Sequence, residues 1–112
     1  MPILVIFGVP KRQQSSTLTE AFKQRVYAIE ELHLKEDEIT VKFFPEDGMA
    51  DEIIIFVEGL FDKPERTEEV RNRLADRLAQ CAKSHFPEAE LVECLIRPFD
   101  PKQGFASIIK RE

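Results

Sequence analysis

The chain has 112 residues, 43% of them hydrophobic and 33% charged, which suits one folded domain and excludes two independently cored ones. No apolar run approaches the roughly 18 residues that span a bilayer. A net charge of −5 argues against a nucleic-acid binder, because that affinity comes mainly from Lys and Arg neutralising phosphates, although a small anion could still bind locally.

Ile3 to Phe7 are five consecutive apolar residues rich in branched types, the pattern of a strand covered on both faces. No basic residue precedes this stretch and no small-residue cleavage pattern follows it, so it reads as a strand of a cytoplasmic protein and not as a signal peptide. Gly8-Val9-Pro10 breaks the pattern, and Lys11-Arg12-Gln13-Gln14 makes a polar loop. Ser15, Ser16 or Thr17 can cap the helix that follows, and Thr17 with Glu20 has capping-box spacing. Leu18, Phe22, Val26, Ile29 and Leu32 lay one apolar stripe along it, predicting a helix that ends near His33.

After the charged turn Lys35 to Glu38, residues Ile39 to Phe44 alternate Ile39, Val41, Phe43 against Thr40, Lys42, Phe44, the period of a strand. Pro45 ends it, and Glu46-Asp47-Gly48 makes a turn that Met49 leads out of. Ile53 to Val57 is again five apolar residues, continuing through Glu58 and Gly59 to Leu60-Phe61. Thr67 is placed to cap a second helix with the stripe Val70, Leu74, Leu78 and Cys81, stopped by Pro87. Leu91 to Ile96 forms a fourth strand before Pro98 and Pro101, and Gly104 to Ile109 is a short apolar tail, extended. Cys81 and Cys94 match neither zinc-site nor redox-pair spacing and read as reduced core thiols.

The order is strand, helix, strand, strand, helix, strand, and the halves share a spacing: Thr17 to Thr67, and Ile39 to Leu91. The expected architecture is α/β (α+β): one domain over 1–112, built of two fused β-α-β units (1–48 and 49–112), with a four-stranded sheet and two helices on one face. Two helices cover only one face of such a sheet, while the strands at Ile3 and Ile53 are apolar on both. A second subunit is therefore expected on the other face, with loops and the C-terminal tail as the alternative cover.

Pro2 stands at the head of the first strand. If Met1 is removed, Pro2 becomes a secondary amine; a free α-amino group titrates near 8, and an apolar surround or a nearby cation lowers that value toward the range of an efficient general base. With Met1 in place, its nitrogen is an amide with no basicity.

The Met-Pro-Ile opening on an apolar strand, and a second β-α-β unit fused to the first, resemble the tautomerase superfamily of 4-oxalocrotonate tautomerase, 5-carboxymethyl-2-hydroxymuconate isomerase and macrophage migration inhibitory factor. Phe56-Val57-Glu58-Gly59-Leu60-Phe61-Asp62 is similar to tautomerase-like proteins of about this length. The resemblance implies a homotrimer with active sites near the subunit boundaries. It also implies that Pro2, unmasked, moves a proton between oxygen and carbon of a small 2-oxo or enol acid, with neither metal nor cofactor. Such proteins hold a substrate carboxylate with arginines: Arg12 matches best, beside Lys11; the second cation falls on Thr40 or Lys42 according to register, and Arg97 is a third candidate. Lys42 lacks the bidentate fork of an arginine. Phe44, Phe99 and Phe105 can supply an apolar wall, and Glu58 a second acid or base.

Two alternatives stand beside this reading. One is a catalytically silent oligomeric binding or scaffold protein of the same fold. The other is a ferredoxin-like domain, which shares the element order and differs in the direction of the first two strands: parallel neighbours indicate the tautomerase arrangement.

Overall fold

The structure, a computed structural model, describes residues 2–44 and 51–110. Met1, and the strand end and turn expected from Pro45 to Met49, lie outside the described residues. The first apolar run forms β1 (Ile3–Phe7), followed by α1 (Ser16–Tyr27), β2 (Thr40–Phe43), β3 (Glu52–Phe61), α2 (Glu68–His85) and β4 (Leu91–Phe99). The sheet runs β2-β1-β3-β4. β1 pairs parallel with β2, β3 pairs parallel with β4, and the two central strands meet antiparallel, Ile3 opposite Glu58 and Phe7 opposite Ile54. Parallel β1 and β2 decide against the ferredoxin-like alternative.

The core lies between one face of the sheet and the two helices. Leu4, Ile6, Ile53, Ile55 and Val57 point into it and are fully buried, against Leu18, Phe22 and Val26 of α1 and Val70, Leu74, Leu78 and Cys81 of α2. Both helical stripes read from the sequence are buried as expected. The side chains of opposite parity, among them Ile3, Val5, Phe7, Ile54, Phe56 and Leu95, form a second apolar face that neither helix reaches, and Ile3 and Leu95 are 39% and 42% exposed. The tail does not bury itself there: Ile108 is 98% exposed.

One open choice closes and two expectations change. α1 begins one residue after Ser15, whose hydroxyl accepts from the Leu18 N–H, so Ser15 is the cap and Thr17 lies inside the helix. The helix ends at Tyr27 and not near His33; Ile29 and Leu32 keep their places in the core because a separate 3-10 turn, Glu30–Leu32, carries the stripe onward and closes on His33 in the left-handed region (φ 51°). β4 runs through Pro98 to Phe99. Proline is tolerated because β4 is an edge strand, where one side of the backbone needs no ladder partner.

Two local devices hold the connections. Arg66, 4% exposed, donates from Nε and Nη2 to the Leu32 carbonyl (3.2 and 2.7 Å) and from Nη1 to the Phe61 carbonyl (2.8 Å), tying the turn after α1 to the end of β3. Burial lowers its pKa from the usual arginine value, and the charged guanidinium persists because its donors are satisfied by carbonyls. Gly8 leaves β1 at φ +95°, and a Cβ there would stand 1.9 Å from the Glu52 carbonyl oxygen. Only glycine allows β1 to turn this close to the start of β3. Gly8→Ala combines a strained φ with a backbone clash and is expected to cost about 2–4 kcal/mol, read as a lower urea midpoint at unchanged slope.

Candidate functional site

Between Val57 and Leu60 the β3–β4 register shifts: β3 takes three steps where β4 takes the two from Ile96 to Pro98, leaving one extra residue in β3. Glu58 and Gly59 together thus oppose Arg97, and Gly59 adopts φ 71°. This is a β-bulge of the kind that re-aims a side chain. Glu58 lies on the helix-free face with Ile54 and Phe56 by simple alternation, and its Oε1 is 3.4 Å from Nε of Arg97; what the extra residue re-aims is Leu60, which it turns into the core. The guanidinium carbon of Arg97 sits 5.5 Å from the centre of the Phe56 ring.

Glu58, Arg97 and Phe56 line a cavity of about 270 Å³ with Val5, Phe7 and Phe44. Phe7 is its pivot: Phe44 stacks on it at 4.5 Å, and Phe56 meets it edge-on at 5.8 Å. A void of about 150 Å³ already takes a benzene ring. This one therefore fits a single ring or short branched chain with a polar head against Glu58 and Arg97.

Pro2 is buried and precedes Ile3, whose partners are Glu58 and Thr40. Its carbonyl accepts the Thr40 N–H at 3.2 Å, which pins the residue between β2 and the bulge of β3. It shares the parity of Leu4 and Ile6, so its ring lies on the helix side of the sheet and does not line the cavity, while its strand position is level with the Glu58–Arg97 end.

The structure gathers some of the residues singled out from the sequence and separates others. Arg97 and Phe44 line the cavity. Lys42 is exposed on the same face, opposite Val5, and Thr40 lies opposite Ile3, so both registers considered for the second cation fall on that face. Phe105 and Phe99 cluster with Phe61, at 5.0 Å for Phe61–Phe105 and 6.0 Å for Phe61–Phe99, beyond the bulge and outside the cavity lining. Lys11 and Arg12 occupy a 3-10 turn, Lys11–Gln13, past the far end of β1. From Pro2 to Phe7 is five strand steps, about 17 Å at roughly 3.3 Å each, so the two ends of β1 belong to different neighbourhoods within one chain.

Solved structures of the same arrangement match across most of the chain. Macrophage migration inhibitory factor of Toxoplasma gondii superposes with a TM-score of 0.65 at 13% identity, covering 93% of this chain and 95% of that one. The wild-type fused 4-OT W0, a symmetric trimer, gives 0.65 at 14%, covering 94% and 93%. Pt0534 inactivated by 2-oxo-3-pentynoate gives 0.59 at 14%, covering 95% and 90%. The chain shares the fold of these proteins. No protein-family model matches the sequence, and no curated protein does.

Val5, Phe7 and Phe56 were missed as site residues because each sits in a run of five apolar residues, where alternation is invisible. Only the partner strand reveals them: in β2, Lys42 and Phe44 mark the helix-free face, and parallel register carries that marking to Val5.

The two cysteines are free, Cys81 buried on α2 and Cys94 partly buried on the helix side of β4. Burial pushes the Cys94 thiol up to about 12 and raises Cys81 as well, so neither is a nucleophile at neutral pH. The folded pKa of Cys94 lies above the unfolded one. Its contribution to stability is therefore complete below the unfolded value, 9.0, and is lost as pH rises toward 12. Urea titrations of Cys94→Ala between pH 8 and 10.5 are expected to show an alkaline decline shallower than wild type by up to about 1.4 kcal/mol per pH unit.

Proposed function

We propose that this protein is a tautomerase acting on a small 2-oxo or enol acid, with Pro2, unmasked by loss of Met1, as the general base. The observation that carries the reading is the position of Pro2 at the head of β1, at the end of the sheet where Glu58 and Arg97 lie beside an apolar cavity. A secondary amine in that apolar setting is disfavoured in its charged form, which leaves it free to take a proton. It removes a proton from the carbon next to the carbonyl and returns it to the other end of the enol, with no net change in oxidation state. Arg97 stabilises the oxygen on which negative charge develops.

The active assembly is a homotrimer. Support comes from the helix-free face, whose apolar side chains are too numerous to leave in water, and from the fused 4-OT neighbours of the same fold, which are trimers. A neighbouring copy closes the open side of the cavity, and it is the only source from which Arg12 and Lys11 reach a Pro2 site, holding the substrate carboxylate. Residues 1–112 act as one unit in this assembly.

A second reading rests on the burial of Pro2 and on the engagement of Arg97 with Glu58: the same trimer binds a small carboxylate-bearing molecule without turning it over.

Protein with an intact-mass loss of one methionine is expected to accelerate ketonisation of an enol acid, followed by ultraviolet absorbance. Pro2→Ala should lower the rate at least 100-fold, in line with loss of a positioned base. Equal rates for the two proteins would leave the binding reading. For the assembly, light scattering should give three copies for wild type, and Phe56→Lys, which puts a charge at the centre of the apolar face, should shift the mass toward one copy at micromolar protein.

A further inference from the structure

Arg97 is the cation that lines the cavity, and it is already engaged. The carboxylate of Glu58 lies against its Nε at 3.4 Å, and its flat face rests near Phe56 at 5.5 Å. Glu58 is on this face by the alternation of β3, opposite Ile3 on one side and, together with Gly59, opposite Arg97 on the other. Among the described side chains lining the cavity these are the two charged ones, opposite in sign, with four apolar residues around them. A neutral carbonyl or enol oxygen can accept from the arginine while Glu58 stays in place. An incoming carboxylate must displace Glu58 from the guanidinium or sit beside it as a like charge, and both are unfavourable.

We infer that Glu58 determines specificity by occupying Arg97, so that a ligand presents its carbonyl or enol oxygen to this arginine and is disfavoured when it presents a carboxylate. The inference rests on the cavity being the substrate site, and not on Pro2 being a base. Glu58 fixes which end of a 2-oxo acid faces the bulge. In the trimer its carboxylate end is left to point toward the cations of the neighbouring copy.

The experiment uses two unreactive probes of nearly equal shape, phenylacetate and phenylacetamide, with affinities measured by chemical-shift titration of the full chain at constant ionic strength. Glu58→Gln keeps the volume and removes the charge. It is expected to bind phenylacetate about tenfold more tightly than wild type, with phenylacetamide changed less than twofold. Glu58→Asp should retain the wild-type discrimination between the two, and Glu58→Gln combined with Arg97→Gln should lose the tenfold gain, placing the effect on the arginine. A general loosening of the fold would move both probes alike. Equal tightening of both, an unchanged phenylacetate affinity in Glu58→Gln, or no binding of either probe to any form would overturn the inference. Because no turnover is read, an inactive Pro2 would leave these outcomes unaffected.

Discussion

The antiparallel pairing of β1 with β3 is the constraint on which the rest of the structure depends. Two parallel β-α-β arrangements would otherwise be separate, each burying one side of a two-stranded ribbon, and such ribbons are too small to be stable alone. Joined through Ile3–Glu58 to Phe7–Ile54, they make one sheet whose helix side is continuous from Leu4 to Val57. The same pairing fixes chemistry. Antiparallel neighbours set the beginning of β1 against the end of β3, so Pro2 meets the bulge at Glu58–Gly59 and the turn at Gly8 meets the start of β3 at Glu52.

That geometry explains why the polar residues of the candidate site concentrate at one end. β3 and β4 fall out of step at Glu58–Gly59, and the mismatch puts two residues opposite Arg97. Without it, strict alternation along β3 would send Leu60 to the helix-free face and Phe61 to the core. With it, Leu60 is buried, and Phe61 joins Phe99 and Phe105 in an aromatic cluster beyond the site. One extra residue therefore separates the cavity, lined by Phe7, Phe44 and Phe56, from a second aromatic group only a few strand positions away.

Much of the fold was legible in the sequence because its signals are periodic. The stripes Leu18-Phe22-Val26 and Val70-Leu74-Leu78-Cys81 can face only one way, and Ile39 to Phe44 alternates cleanly. The errors lie where periodicity is silent. The stripe continues through Ile29 and Leu32 although the helix does not, since a 3-10 turn can deliver the same two side chains to the core. Pro98 does not end β4, because edge position is a property of the sheet and not of the strand. The site was less legible still. Arg97 and Phe44 were found by residue type, but the cavity they share depends on cross-strand register and on the bulge. Arg12 was singled out only by the resemblance, and it stands at the opposite end of β1 from Pro2.

The helix-free face and the candidate site share their apolar side chains. A five-residue apolar run such as Ile3–Phe7 has no polar edge to tell one face from the other, and packing helices against one side leaves the other side equally apolar. In water, an uncovered surface of this kind is a standing drive toward association. Covering it with another copy would also remove water from the cavity mouth, where Glu58 and Arg97 lie. Their attraction is weak while they are solvated, as for most surface ion pairs, and strengthens as the local dielectric falls. The apolar side chains that would favour an assembly are thus the same ones that surround the charged pair of the cavity.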